Sequence, residues 1–196
     1  MKVYFLGDGG VGKTCLLRVF QTGEFNPSHM PTLGMDYVRT LYKPETSSGE
    51  INVTLWDTAG QDRFRSLIKS VYRETDGIAL CFDLTNELSF THLTNWIDQI
   101  REAAPEHVQM ILLGNKRDLT SERVISKKEA EELAAANKME YFETSAVEKH
   151  NVKEAINKLL EITYQNVFSK KSNNANTDKD RKSVILDRKT FSEEPQ

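Results

Sequence analysis

Short runs of consecutive apolar residues alternate along this chain with longer stretches in which apolar residues recur at helical spacing. Continuous apolar runs are typical of buried strands, and the wider spacing is typical of helices that cover one side of a core. The pattern predicts strands at 3–6, 35–42, 51–56, 78–82, 108–113 and 139–142. It predicts helices at 15–20, 89–104, 127–137 and 151–168, and a short helical stretch that ends near residue 73.

Apolar strands that alternate with helices favour an α/β fold, in which a mostly parallel sheet is covered by helices on both faces. The strands at 35–42 and 51–56 are the exception, because only a polar connection at 44–50 separates them. A connection that short joins antiparallel neighbours. We therefore predict a mostly parallel six-stranded sheet with one antiparallel edge strand. Ligands of such sheets bind beyond the carboxyl ends of the strands.

Composition narrows the class of protein. The chain has 196 residues, enough for one domain with a full core and an extension, and 38% of them are hydrophobic. A net charge of −3 gives no reason to expect nucleic-acid binding. The sequence shows neither a signal-peptide pattern nor an apolar stretch of membrane-spanning length. Cys15 and Cys81 have no metal-site or disulfide spacing, so we expect reduced thiols and a cytoplasmic protein.

The glycine-rich sequence Gly7–Thr14 lies between the first predicted strand and the first predicted helix. In that context it matches the phosphate-binding pattern G-x-x-x-x-G-K-[S/T]. Its glycines let the backbone approach phosphates closely, and the free amides at the helix start favour anions. Lys13 would add a positive charge, and the Thr14 hydroxyl would be a ligand of Mg²⁺. We expect nucleotide contacts from Gly9, Gly10, Val11, Gly12, Lys13, Thr14 and Cys15.

A second polar segment, Asp57–Gln61, follows the strand at 51–56. The Asp57 carboxylate can hold Mg²⁺ directly or through a water molecule, although an isolated aspartate at this place could equally cap a helix. Gly60 lacks a side chain, so its backbone N–H could approach a γ-phosphate. Gln61 carries both a donor and an acceptor and can orient an attacking water molecule.

A third polar segment, Asn115–Asp118, follows the strand at 108–113. The Asp118 carboxylate can accept hydrogen bonds from N1–H and the exocyclic amine of guanine, whereas adenine would leave it unpaired at a large cost. Lys116 could lay its aliphatic stem along the base. Asn115 would tie this loop to the phosphate loop. After the last strand, Ser145 and Ala146 could present backbone N–H groups to the guanine O6.

With these motifs, residues 2–168 resemble the Ras superfamily of small GTPases, and most closely its Rab branch. The resemblance implies the P-loop NTPase fold, GTP/GDP and Mg²⁺ as ligands, and a nucleotide-regulated switch in vesicle traffic with slow GTP hydrolysis. It makes Thr32 a further Mg²⁺ ligand, beside Thr14 and Asp57, and places the Phe25 ring against guanine. It also implies that a side chain at the position of Gly9 would damage hydrolysis, so the glycine there is typical of an active site. The residues implied in catalysis are Lys13, Thr32, Gly60 and Gln61.

The resemblance also implies partners: effectors, an exchange factor and a GTPase-activating protein. Rab effectors commonly contact an aromatic trio on the switch face, which here would be Tyr37, Trp56 and Val71. Val71 departs from that pattern because it is not aromatic, which puts ordinary effector specificity in doubt.

The residues after the GTPase domain predicted at 1–168 differ most from the family. Residues 169–196 are polar and contain no cysteine, so we expect a disordered tail that cannot be prenylated. Membrane association would then be indirect, through partners, unless the sequence is a truncated or alternative form.

Two other functions stay open at the level of sequence. A nucleotide-bound interaction module with negligible hydrolysis would share all the binding motifs. A P-loop kinase or ATPase is disfavoured by Asn115–Asp118. The four histidines, His29, His92, His107 and His150, are widely spaced and are expected on the solvated surface.

Overall fold

The computed structural model describes residues 1–27, 32, 34–58 and 72–168. It confirms the α/β architecture, with a sheet of six strands in the order β2-β3-β1-β4-β5-β6. The strands are β1 Lys2–Leu6, β2 Met35–Tyr42, β3 Ile51–Thr58, β4 Gly77–Asp83, β5 Gln109–Asn115 and β6 Glu140–Glu143. Only the β2–β3 pair is antiparallel, and β2 is an edge strand. The predicted helical stretch before residue 73 and the predicted tail at 169–196 lie outside the described residues, apart from 72 and 73.

The described helices follow strands β1, β4, β5 and β6 along the chain. They are α1 Lys13–Thr22, α2 Glu87–Thr91, α3 Leu93–Ala103, α4 Lys127–Ala136 and α5 at 152–168. A capping box begins α4, because Ser126 accepts from the Glu129 N–H while the Glu129 carboxylate accepts from the Ser126 N–H. Thr120–Glu122 adds one turn of 3-10 helix.

The two faces of the sheet bury separate apolar clusters, as a doubly covered sheet requires. Alternate residues of β1 show the division, since Phe5 joins one cluster and Leu6 the other. The Phe5 side packs against α1 and α5 through Leu16 and Leu159. The Leu6 side packs against α3 through Trp96. Both faces are therefore covered by helices, and the loops beyond the strands are left free to bind.

Most of the predicted boundaries differ by one or two residues, and three of the differences have a clear physical cause. The third strand continues to Thr58 because Asp57 is paired with residues of both β1 and β2. The fifth strand continues to Asn115, which is paired with Asp83 of β4. The helix predicted at 89–104 begins earlier, where the Asn86 side chain accepts from the Ser89 N–H, and it is divided at His92 into α2 and α3.

Candidate nucleotide site

The phosphate loop lies between the end of β1 and the start of α1. Gly12 immediately precedes α1 and has a φ of +96°, a left-handed conformation that favours glycine. A β-carbon at this position would lie only 2.3 Å from the Asn115 Nδ2 atom. The glycine therefore serves two needs, the turn into the helix and the close approach of a second loop.

Lys13 is folded back into the phosphate loop. Its ammonium donates to the carbonyl oxygens of Gly7 and Asp8, each at 2.7 Å. Only 5% of the residue is exposed. Burial lowers the pKa of Lys13, and the nearby Asp57 and Asp8 act in the opposite direction. A partly desolvated cation at the start of a helix is an environment that favours an anionic ligand.

Three oxygen-bearing side chains converge beside this lysine. The Thr14 hydroxyl donates to the Asp57 carboxylate and lies 2.8 Å from the Thr32 hydroxyl. The Thr32 hydroxyl donates to the same carboxylate oxygen at 3.2 Å. These residues come from α1, from the end of β3 and from the loop before β2, so only the fold brings them together. We refer to Thr14, Thr32 and Asp57 as the oxygen cluster.

The chemistry of the oxygen cluster fits a small hard cation. Mg²⁺ prefers oxygen donors and binds through one or two protein groups together with water and phosphate oxygens. Two hydroxyls and one carboxylate in mutual contact offer that donor set. No group of three or more His, Cys, Asp or Glu side chains suited to a metal occurs among residues 1–27, 32, 34–58 and 72–168.

A cavity of about 250 Å³ opens next to the phosphate loop. Its lining combines glycine backbone, apolar side chains and the polar residues of the 115–118 segment: Gly10, Gly12, Cys15, Phe25, Asn115, Lys116, Asp118, Leu119, Ala146 and Val147. The half-buried Phe25 also packs against the apolar cluster that contains Phe5, which fixes this wall. Cys15 and Cys81 are free thiols, and burial raises the pKa of Cys81 to about 12.

Hydrogen bonds hold the polar wall of the cavity in place. Asn115 Nδ2 donates to the Val11 carbonyl at 2.9 Å, which is the predicted link between the two loops. The Thr144 hydroxyl donates to the Asn115 side-chain oxygen at 3.3 Å. Ser145 Oγ donates to Asp118 Oδ1 at 2.6 Å, so the Asp118 carboxylate has one fixed oxygen. Asp118 and Ser145 are 27 residues apart in sequence, yet they form one wall.

The structure gives fewer contacts for the remaining predicted site residues, and some of them lie outside its described part. Gly9 is exposed in the turn after β1, and Ala146 is buried and forms part of the cavity lining. Tyr37 and Trp56 face each other across β2 and β3 with ring centroids 4.9 Å apart. Gly60, Gln61 and Val71 lie outside the described residues, as does His29.

Two contacts at the site are missing from the predictions. The Lys116 ammonium lies 2.6 Å from Asp83 Oδ2, and Asp83 is 5% exposed at the end of β4. An aspartate at the end of an apolar strand is the signal that identified Asp57, and it could have identified Asp83. The second contact joins Asp8 to His92 Nδ1 at 2.6 Å, so His92 is not simply solvated surface. Nothing local in the sequence indicates that pair.

Sequence similarity to known proteins extends over most of the chain. The sequence model of the Ras family matches residues 2–165. Ras-related protein Rab-15 of Homo sapiens is 39% identical over 165 residues, which are 84% of this chain and 76% of that protein. Ras-related protein Rab-27A of Rattus norvegicus is 42% identical over 171 residues, with 83% and 77% covered. Ras-related protein Rab-13 of the same species is 36% identical over 189 residues, with 96% and 92% covered.

Proposed function

Because the chain belongs to the Ras family of small GTPases, within the Rab branch that acts in vesicle trafficking, we propose that the residues at the carboxyl rim of its sheet carry its GTPase reaction. GTP and GDP are its nucleotides, Mg²⁺ is its metal, and GTP is hydrolysed to GDP. The observation that carries the assignment of roles is the oxygen cluster of Thr14, Thr32 and Asp57 beside the buried Lys13.

The phosphate loop and Lys13 hold the triphosphate, with backbone amides and one ammonium directed at it. Thr14, Thr32 and Asp57 hold Mg²⁺, which when bound neutralises charge on the β- and γ-phosphates. Gln61 and Gly60 lie outside the described residues. We propose that Gln61 orients the attacking water and that Gly60 offers a backbone N–H. Because charge neutralisation depends on Lys13 and one divalent ion, we expect slow intrinsic hydrolysis that a GTPase-activating protein accelerates.

The guanine cavity selects the base. Ser145 donates to one Asp118 oxygen, and the carboxylate has further lone pairs that can accept from the base edge. Guanine offers two donors to a carboxylate, whereas adenine offers an acceptor at the same place and would leave a polar group unpaired. The Phe25 ring and the Lys116 stem form the walls that contact the base faces. We propose this division of roles for Asp118, Ser145, Phe25 and Lys116.

The switch itself depends on Thr32. Thr32 precedes β2 in the chain, and its hydroxyl joins the oxygen cluster by contacting Thr14 and Asp57. We propose that contacts with Mg²⁺ and the γ-phosphate hold residues 25–37 and 57–73 in the GTP state, and that hydrolysis releases them. Effectors, exchange factors and GTPase-activating proteins are the partner classes of this family.

We propose that effectors contact Tyr37, Trp56 and Val71, of which Val71 lies outside the described residues. Tyr37 is 47% exposed, its ring contacts Trp56, and the Arg39 guanidinium lies 5.3 Å from the ring centre. An exposed aromatic held in place by its neighbours is a suitable anchor for a partner, because little side-chain freedom is lost on binding.

No helix in the described part of the chain is long and apolar enough to cross a bilayer. We propose a cytoplasmic protein that reaches vesicle membranes through partners, with residues 1–168 as its GTPase domain.

The assignment of the oxygen cluster can be tested with Thr14→Ala, using Thr22→Ala as the matched control at the far end of the same helix. Thr22 donates to Arg18 and lies outside the cluster. We expect wild type and Thr22→Ala to retain GDP in millimolar Mg²⁺ and to release it on chelation. Thr14→Ala should release GDP at the same fast rate with or without Mg²⁺. Mg²⁺-dependent retention by Thr14→Ala would refute the assignment.

A further inference from the structure

One side chain of the phosphate loop, that of Asp8, has no predicted nucleotide contact and anchors the loop to the rest of the fold. Asp8 is the only residue with a side chain in the segment Gly7–Gly10. Both of its carboxylate oxygens are occupied. Oδ2 lies 2.6 Å from His92 Nδ1, and Oδ1 accepts from Trp96 Nε1 at 2.9 Å. Since a carboxylate oxygen accepts, the His92 Nδ1 atom donates.

These two donors come from a distant part of the chain. His92 is 84 residues from Asp8 in sequence and Trp96 is 88 residues away, and together they occupy the start of α3. Trp96 is 2% exposed, so α3 holds the indole rigidly in the apolar cluster on that face of the sheet. The carboxylate is therefore fixed to a rigid support rather than to another mobile loop.

The same residue contacts the lysine that faces the phosphates. The Asp8 carbonyl oxygen accepts from Lys13 Nζ at 2.7 Å. Fixing the Asp8 side chain from two directions also fixes its backbone, and hence the place of that carbonyl. Glycine on both sides leaves the loop with wide conformational freedom, which must be lost when phosphates bind. A loop whose one side chain is already held has less freedom to lose.

We propose that Asp8, His92 and Trp96 position the phosphate loop, and that α3 thereby slows nucleotide release. This inference rests on the proposed function of the loop. We assign these three residues a role through the loop and not through direct contact with phosphate or base, so they are positioning residues and not catalytic ones. The alternative is that Asp8 merely satisfies the buried Trp96 N–H, in which case the contact stabilises the core without affecting the nucleotide.

The experiment measures release of a fluorescent GDP analogue in Mg²⁺ from variants of the full chain. Trp96→Phe keeps a packed ring and removes the donor. His92→Leu removes the other donor, whereas His92→Asn restores an N–H close to the position of Nδ1. We expect Trp96→Phe and His92→Leu each to release GDP roughly three- to tenfold faster, on the scale of one typical intramolecular hydrogen bond. His92→Asn should stay close to wild type.

A matched control uses another half-exposed histidine beside a carboxylate. His107 Nε2 lies 3.9 Å from Asp76 Oδ1, next to the opposite end of the sheet, where β4 begins. His107→Leu should leave GDP release unchanged. An equal acceleration by His107→Leu would overturn the proposal, because the effect would then not depend on the phosphate loop.

A double-mutant cycle separates positioning from core stability. If the two donors act through Asp8, then His92→Leu and Trp96→Phe cause no further acceleration in an Asp8→Ala background. Asp8→Leu, whose side chain also has no acceptor, serves the same purpose if the alanine variant does not fold. The proposal is overturned if both single variants release GDP like wild type, or if their effects persist without the Asp8 carboxylate. Failure of wild type to retain GDP would instead refute the proposed function.

Discussion

Replacing Gly12 with alanine tests whether the two nucleotide loops depend on the space above this glycine. The added β-carbon would lie 2.3 Å from Asn115 Nδ2, the atom that donates to the Val11 carbonyl. Two non-bonded heavy atoms cannot approach each other to 2.3 Å, so the Asn115 side chain must move and its hydrogen bond to Val11 must break. Gly10 is the matched control, because it also has a positive φ, +78°, but a β-carbon there would meet nothing within 4 Å.

The magnitudes follow from these two differences. A left-handed conformation costs a non-glycine residue about 1–2 kcal/mol, and both substitutions incur it. Gly12→Ala also leaves a buried amide and a buried carbonyl without partners, at about 1–3 kcal/mol. We therefore expect a loss of unfolding free energy of about 2–5 kcal/mol for Gly12→Ala and about 1–2 kcal/mol for Gly10→Ala.

The assay is urea unfolding of nucleotide-free protein, so that ligand binding does not contribute to the measured free energy. An unchanged dependence on urea concentration would show that the variants differ in stability and not in the unfolded state. Equal losses for Gly12→Ala and Gly10→Ala would refute the reasoning, because backbone strain alone would then account for both.

Three further predictions concern the base, a buried hydroxyl and pH. Asp118→Asn exchanges an acceptor for a donor, so the ratio of affinities for guanine and xanthine nucleotides should move toward xanthine by roughly 5- to 150-fold. Competition between GDP and xanthosine diphosphate measures this ratio. Unchanged guanine selectivity would refute the base-reading role. The Thr163 Oγ1 atom is buried and finds no hydrogen-bond partner among the described residues. Thr163→Val keeps the shape and removes this cost, so thermal or urea unfolding should show a gain of about 1 kcal/mol, and a loss would contradict the reading. Hydrogen bonding from the Arg123 guanidinium lowers the pKa of Glu143 in the folded protein. The pair therefore stabilises the fold at pH values above the unfolded pKa of about 4.3, and this stabilisation is lost as the pH falls through the lower pKa of the folded state. Arg123→Met should flatten the acid side of the stability–pH curve, and an acid side as steep as in wild type would exclude this contribution.

Local patterns predicted the elements of this fold well where a strand or helix is determined by its own residues. The edge strand β2 has the bounds predicted from its pattern, Met35–Tyr42, although its apolar residues are mostly exposed. The start of α4 was equally predictable, because the Ser126 cap and Glu129 are only three residues apart. Boundaries failed where a ladder partner extends the strand, as Asp83 does for Asn115.

The site divides in the same way. The phosphate loop could be recognised from its glycines and Lys13, since a close approach to phosphate restricts the residue types at fixed spacing. The contact between Asn115 and Val11 was expected from the order of motifs and is present. The partners of Asp8 could not be expected, because they depend on where α3 packs.

The sequence by itself determined that apolar strands alternate with helices and that a glycine-rich phosphate-binding pattern follows the first strand, and it predicted a guanine-selecting segment after the fifth. These features are encoded in neighbouring residues, whose spacing and conformational freedom act locally. Only the tertiary structure decided that Thr14, Thr32 and Asp57 share hydrogen bonds, that Ser145 fixes Asp118, and that His92 and Trp96 hold Asp8. Each of these contacts joins residues far apart in the chain, so it exists only once the strands have paired and the helices have packed on the sheet.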